Sequence, residues 1–164
     1  MALPRRSSNN AMSSVLVPVG LGGPDSDAVG LACELLGHKK GQLYIVYAIE
    51  VERSMPVDAE IIDDFARGEE LLKRMEEVAR TFGCQTQAEI LQSRQAGLAA
   101  VQEAHEKNVD AIVLGIGHRE TYGEYSLDET ARYVLRNAPC RVILWREAAP
   151  VKAGSNNGLT AAHS

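Results

Sequence analysis

Residues Ser14–Asp27 read SVLVPVGLGGPDSD. The first seven, SVLVPVG, are a short apolar run of the kind that forms a buried strand. A glycine-rich turn, LGGPDSD, follows. Asp25 or Ser26 then offers an N-cap for a helix whose apolar residues are Val29, Ala32, Leu35 and Leu36. Gly37 or Gly41 closes that helix. A buried strand feeding a glycine turn and then an amphipathic helix is the opening of a parallel α/β unit.

The same alternation recurs down the chain. QLYIVYAIEV, within Gln42–Val51, is β-branched and aromatic, and predicts a second strand. A long helix is expected from about Asp58, with Ile61, Phe65, Leu72, Met75, Ala79 and Phe82 on one face. Gly68 takes a place on that face where close packing excludes a side chain, and Gly83 ends the helix. A weaker strand lies over 84–92. Ser93 is expected to cap a third helix running through Leu98, Val101 and His105, with His105 half-buried. DAIVLGIG, Asp110–Gly117, is the fourth strand. After the polar loop HRETYGEY comes a helix through Leu127, Ala131, Val134 and Leu135, stopped by Pro139. RVILWR, Arg141–Arg146, is the fifth strand.

Strands separated by helices require parallel pairing with right-handed crossovers. The expected architecture is therefore an α/β open parallel sheet of five strands, Rossmann-like, with helices on both faces. Pro18 strains this reading, because a proline is tolerated in a central strand only where the ladder is finishing. In such a sheet ligands sit outside the carboxyl ends of the strands. Those ends here are Gly20–Asp25, Glu50–Met55, Ser93 and Gly115–Ser126.

The chain has 164 residues, enough for one ordinary domain. Residues 1–12 and 148–164 lack any apolar period and are expected to be tails around a domain at 13–147. Lys and Arg number 17 against 22 Asp and Glu, for a net charge of -5. That balance argues against a nucleic-acid surface. No apolar run approaches the ~18 residues of a membrane span, so no membrane insertion is expected. Cys33, Cys84 and Cys140 are widely spaced, with no metal-ligand spacing, and suit a reducing, cytoplasmic setting. No Ser-His-Asp, HExxH or paired-His spacing appears, so no catalytic or metal residues are assigned.

Three stretches resemble the universal stress protein family: Val17-Pro18-Val19, AIVLGIG (Ala111–Gly117) and, most specifically, TARYVLRNAPCRVILW (Thr130–Trp145). The resemblance covers about 13–147. It implies strand order 3-2-1-4-5 and a homodimer through the fifth strand, with Val142, Leu144 and Trp145 at the interface. An apolar edge strand favours the same pairing. It also implies a site for ATP or AMP built on G-x-x-G-(nine residues)-G-S/T, where glycines let backbone N–H groups reach phosphates at a helix N-terminus. Here Gly115 fits the first position, but His118, Asp128 and Glu129 stand at the other three. The acidic residue that ATP binders carry after VPV is Gly20.

Candidate nucleotide contacts on this resemblance are Val19, Gly20, Ala48, Gly115, Gly117, His118, Arg119, Asp128 and Glu129. Their chemistry disfavours a phosphate. A carboxylate about 5 Å from a phosphate charge is repelled by about 3 kcal/mol at an effective dielectric near 20. Glu120, Glu124, Asp128 and Glu129 stand in or beside the loop against Arg119. Ser126-x-x-Glu129 also reads as a capping box, which would satisfy the helix's own N–H groups. Bound Mg2+ could bridge acids to phosphates and reverse the argument. His118 and Arg119 either contact a ligand or form a solvated loop. Tyr122 and Tyr125 either cover a ligand or pack the loop. Gly22, Gly23 and Pro24 either admit a ligand closely or form a plain turn.

The expected function is a dimeric, non-catalytic regulatory or binding domain with a degenerate or retuned nucleotide pocket, acting through a protein partner or another small ligand. The alternatives are an ATP or AMP sensor, with or without Mg2+, and a slow nucleotide hydrolase using His118 or a loop acid as base.

Overall fold

The computed structural model describes residues 12–37, 41–117, 120–121, 124–125, 127–149 and 151. In chain order it has β1 (Ser14–Val19), α1 (Asp25–Leu36), β2 (Gln42–Glu50), α2 (Ile62–Thr81), β3 (Gln85–Ser93), α3 (Ala96–Glu106) and β4 (Ala111–Ile116). There follow β5 (Glu120–Thr121), β6 (Glu124–Tyr125), α4 (Glu129–Asn137) and β7 (Arg141–Arg146). The long strands form one parallel sheet ordered β3-β2-β1-β4-β7. This is the 3-2-1-4-5 order expected, with β7 as the fifth long strand. β5 and β6 form a separate antiparallel ribbon in the segment read as a plain polar loop.

Burial on both faces explains why β1 is almost wholly apolar. Val15, Val17 and Val19 pack with Ala28, Val29, Ala32 and Cys33 of α1 and Leu72, Met75 and Ala79 of α2. Leu16 points the other way, joining Val46 and Ile112 against Ala100 and Ala104 of α3 and Val134 of α4. Each valine, leucine, isoleucine or methionine among them contributes roughly 1.5–3 kcal/mol by leaving water.

Pro18 lies inside this central strand and is compatible with it for a local reason. β1 pairs along its whole length with β2, including Pro18 with Val46. Its ladder to β4 covers only Val15–Ala111 and Leu16–Ile112. The missing N–H thus falls beyond the β4 ladder, and the two strands are unpaired toward their carboxyl ends.

Four local expectations are corrected. α2 begins at Ile62 rather than near Asp58. Side chains of the β3 end take the carbonyls of the preceding segment: Gln92 donates to Val57 O (3.3 Å) and Ala59 O (2.7 Å), and Arg94 to Val51 O (3.2 Å), Glu52 O and Met55 O (2.8 Å). α1 begins at Asp25 with Pro24 at its cap, so neither Asp25 nor Ser26 caps it. Ser93 does not cap α3; Gln95 holds the cap position, and Glu50 Oε1 of β2 accepts the Ala96 N–H at 3.0 Å. His105 is exposed, and Glu103 is buried instead. Burial raises the Glu103 carboxyl above the ordinary carboxylate range, and Lys107 Nζ lies 3.8 Å from it. Gly68 behaves as expected: a Cβ there would come within 2.6 Å of the Tyr47 ring.

Candidate functional site

The carboxyl ends of β1 and β4 form the switch point, because the chain turns from one side of β1 to the other there. The loop after β1 crosses directly over the end of β4. A Cβ on Gly23 would lie 2.1 Å from the Gly115 carbonyl oxygen. One on Gly115 would lie 3.0 Å from Pro24 O, and one on Gly117 3.1 Å from Gly22 O. The close approach that Gly22, Gly23 and Pro24 permit is therefore to the protein's own backbone.

Gly20 starts this loop with φ +81°, a left-handed conformation suited to glycine. Tyr47 of β2 leans over it, since a Cβ at Gly20 would be 2.5 Å from the ring. The same ring abuts Gly68 of α2. Asp25 accepts the Gly20 N–H at 3.0 Å and so ties the loop back to α1. Burial raises the Asp25 carboxyl, while the Gly20 hydrogen bond and Arg74 oppose that shift.

On the opposite face the N-termini of α3 and α4 flank a cavity of about 240 Å³. Glu50, Arg94, Gln95, Glu129, Thr130 and Tyr133 are among its lining residues. Carboxylates serve both helix starts. Glu50 takes the Ala96 N–H of α3, and Asp128 Oδ1 takes the Ala131 N–H of α4 at 2.8 Å. Asp128, not Ser126, is the cap of α4, and Glu129 is its first residue. The expected capping box is thus replaced by a single-residue cap with the same effect on the helix N–H groups.

The structure brings Gly20, Gly115 and Gly117 into one loop cluster, with Asp128 and Glu129 at the start of α4. Val19 is a core residue, 1% exposed, with its side chain in the α1–α2 cluster. Ala48 is half-buried and pairs with Leu91 of β3. His118, Arg119, Tyr122 and Ser126 lie outside the described residues, as does the Tyr125 side chain. Tyr47, Glu50 and Arg94 were not singled out from the sequence. Only the glycine spacing hinted at what overlies them.

Among the described strands β7 pairs with β4 alone. Val142 and Leu144 are half-buried against the α3–α4 face, and Trp145 is 40% exposed.

The sequence matches the universal stress protein family over residues 12–146. The chain belongs to this family. A universal stress protein of Methanocaldococcus jannaschii is 23% identical over 145 residues, covering 85% of each chain. The solved universal stress protein of Archaeoglobus fulgidus in complex with dAMP superposes with TM-score 0.64 at 20% identity, over 80% of this chain and 95% of that one. A universal stress protein family protein of Arabidopsis thaliana with AMP bound gives TM-score 0.58 at 15% identity, over 88% and 99%. The fold is thus that of universal stress proteins. Among the described residues no helix is long and apolar enough to cross a membrane.

Proposed function

We propose that this universal stress protein is a cytoplasmic, dimeric, non-catalytic regulatory domain. Its adenine-nucleotide pocket is degenerate, and it acts through a protein partner or a different small ligand. The observation that carries the reading is the Asp128 cap. A carboxylate already occupies the α4 N-terminus, the place where the family's motif would present N–H groups to phosphate. Glu129 adds a second acid at the same helix start. The loop after β1 supports the reading by lying backbone to backbone on the β4 end, with Tyr47 over Gly20. The described residues therefore fit a polyphosphate poorly.

The relatives with dAMP and AMP favour a second reading, in which a nucleotide binds with Mg2+ offsetting the acids. Thermal melts of the full chain with ATP, AMP and cyclic AMP, with and without Mg2+, separate the two. A ligand of micromolar Kd at about 1 mM raises Tm by roughly 8–16 °C. No shift for any of them supports degeneracy, and a shift that needs Mg2+ supports the second reading.

Dimerisation is assigned to β7, because it ends the order of the described strands and carries Val142, Leu144 and the exposed Trp145. Light scattering should give twice the chain mass for the parent and the chain mass for Trp145→Lys. A parent that is monomeric throughout the micromolar range would end this assignment.

A further inference from the structure

β3 alternates as a strand with two different faces. Glu89 points toward α3, where Lys107 Nζ lies 3.6 Å from its Oε1. Ala88 and Ile90 point the other way and, with α2, line a groove of about 710 Å³. Leu72 of α2 completes the apolar floor, and Phe65, 48% exposed, stands in its wall. Glu69, Glu70 and Glu76 line the groove too, against Lys73 as the one basic residue among its described lining. Among the described strands β3 pairs with β2 alone, through all nine of its residues. Its outer side therefore carries a row of main-chain groups with no strand partner among the described residues.

The connection before α2 extends the apolar surface. Met55, Val57, Ile62 and Phe65 are four of the eight large hydrophobic residues that are exposed among the described ones, and they fall within eleven residues of chain. Scattered exposed apolar residues are ordinary, whereas a gathered set marks a contact surface. The segment is also held in place. Gln92 of β3 donates to Val57 O and Ala59 O, and Arg94 to Val51 O and Met55 O. Gln92 shares the face of Ala88 and Ile90 by the two-residue period, so its bonds seat Val57 at the head of the groove. A surface ordered before binding loses little further freedom on binding.

We propose that the β3 edge and this groove take an extended segment of a partner protein as a sixth strand, with Arg or Lys alternating with apolar side chains on the face turned to α2. Main-chain hydrogen bonds to β3 supply affinity that does not depend on sequence, and the groove supplies the selection. Along α2, Glu69 and Glu76 stand about 10 Å apart. Side chains four residues apart on one face of a strand stand about 13 Å apart. Two arginines with one apolar residue between them thus reach both acids while the apolar residue sits on the floor of Leu72, Ala88 and Ile90. β3 and β7 are the opposite ends of the strand order, and the groove is apart from the loops around Gly115. The proposal is therefore independent of nucleotide binding and of a dimer through β7.

The test uses the full chain and a capped nine-residue peptide, with threonine at the odd positions and arginine, valine, arginine and valine at the even ones. Fluorescence anisotropy of the labelled peptide should show saturable binding that weakens as salt is raised. Hydrogen exchange in β3 should slow in the complex. Glu69→Lys with Glu76→Lys should weaken binding at least tenfold. Glu34→Lys with Glu106→Lys makes the same change of net charge at exposed sites on α1 and α3, and should change it less than twofold. A peptide with proline in place of its interior threonines cannot enter a ladder and should not bind. Circular dichroism checks the fold of both variants, and the proline peptide tests the ladder on the unaltered chain. The proposal is overturned by no saturable binding, by equal weakening in the two charge-reversed pairs, by equal binding of the proline peptide, or by slowed exchange at β7 instead of β3. It also falls if Phe65→Glu lowers the chain's mass in light scattering, which would make a second copy the occupant. Peptide binding only after removal of residues 1–11 would overturn it in favour of the chain's own amino-terminal segment.

Discussion

The two sides of the sheet's carboxyl end are filled by different means. Toward α1 and α2 the filling is steric. Gly23 rests on the Gly115 carbonyl, and the Tyr47 ring covers Gly20. Toward α3 and α4 it is electrostatic. Glu50 and Asp128 occupy the two helix N-termini, and a small polar cavity remains between them. The difference matters for what can be reversed. Steric filling yields only to a change of shape, whereas a carboxylate can be neutralised by a cation, a proton or a substitution.

Three variants sharpen that contrast, the largest effect first. Gly23→Ala places a methyl against backbone that cannot rotate away, so it should destabilise by about 3 kcal/mol. Urea or thermal unfolding measures this, and a neutral result would mean the loop is free to lift from β4. On the electrostatic side, Asp128→Gly with Glu129→Ser restores the last two residues the family motif calls for. Gly retains most of the cap's value, so stability should fall by only a few tenths of a kcal/mol. AMP or ATP affinity should rise at least tenfold, about 1.4 kcal/mol. Unchanged affinity would place the obstacle on the steric side alone.

The smallest effect lies at Asp25. Burial raises its folded-state pKa, so folding favours the protonated form. The stability it contributes is present below the ordinary carboxylate range and lost as pH rises through the raised value. Asp25→Asn keeps an acceptor for the Gly20 N–H and removes the charge. It should therefore stabilise the protein at pH 7 by about 0.5 kcal/mol or less. The gain should vanish as pH falls below the raised value, where Asp25 itself becomes protonated. A variant less stable at pH 7 would show that the charged hydrogen bond outweighs burial.

The sheet was legible because burial on both faces leaves a plain record. SVLVPV and AIVLGI read as buried strands, and the intervening helices force parallel order. The helix starts were less legible, since their partners are distant in sequence. Arg94 and Gln92 shape the segment before α2 from more than thirty residues away, and Glu50 serves α3 from 46. The β5–β6 ribbon is too short for a periodic signal. At the site, glycine spacing announced a close backbone approach but not what approaches. The partner is Gly115 for the loop after β1 and Tyr47 for Gly20. Asp128 was visible as a departure from the family motif, and the structure adds its bond to the Ala131 N–H.

Isothermal titration calorimetry of AMP and ATP into the wild-type chain, with and without Mg2+, tests the central claim most directly. Degeneracy predicts no heat of binding up to high micromolar concentrations in any of the four titrations. Saturable micromolar binding without Mg2+ would contradict both the steric and the electrostatic filling described above.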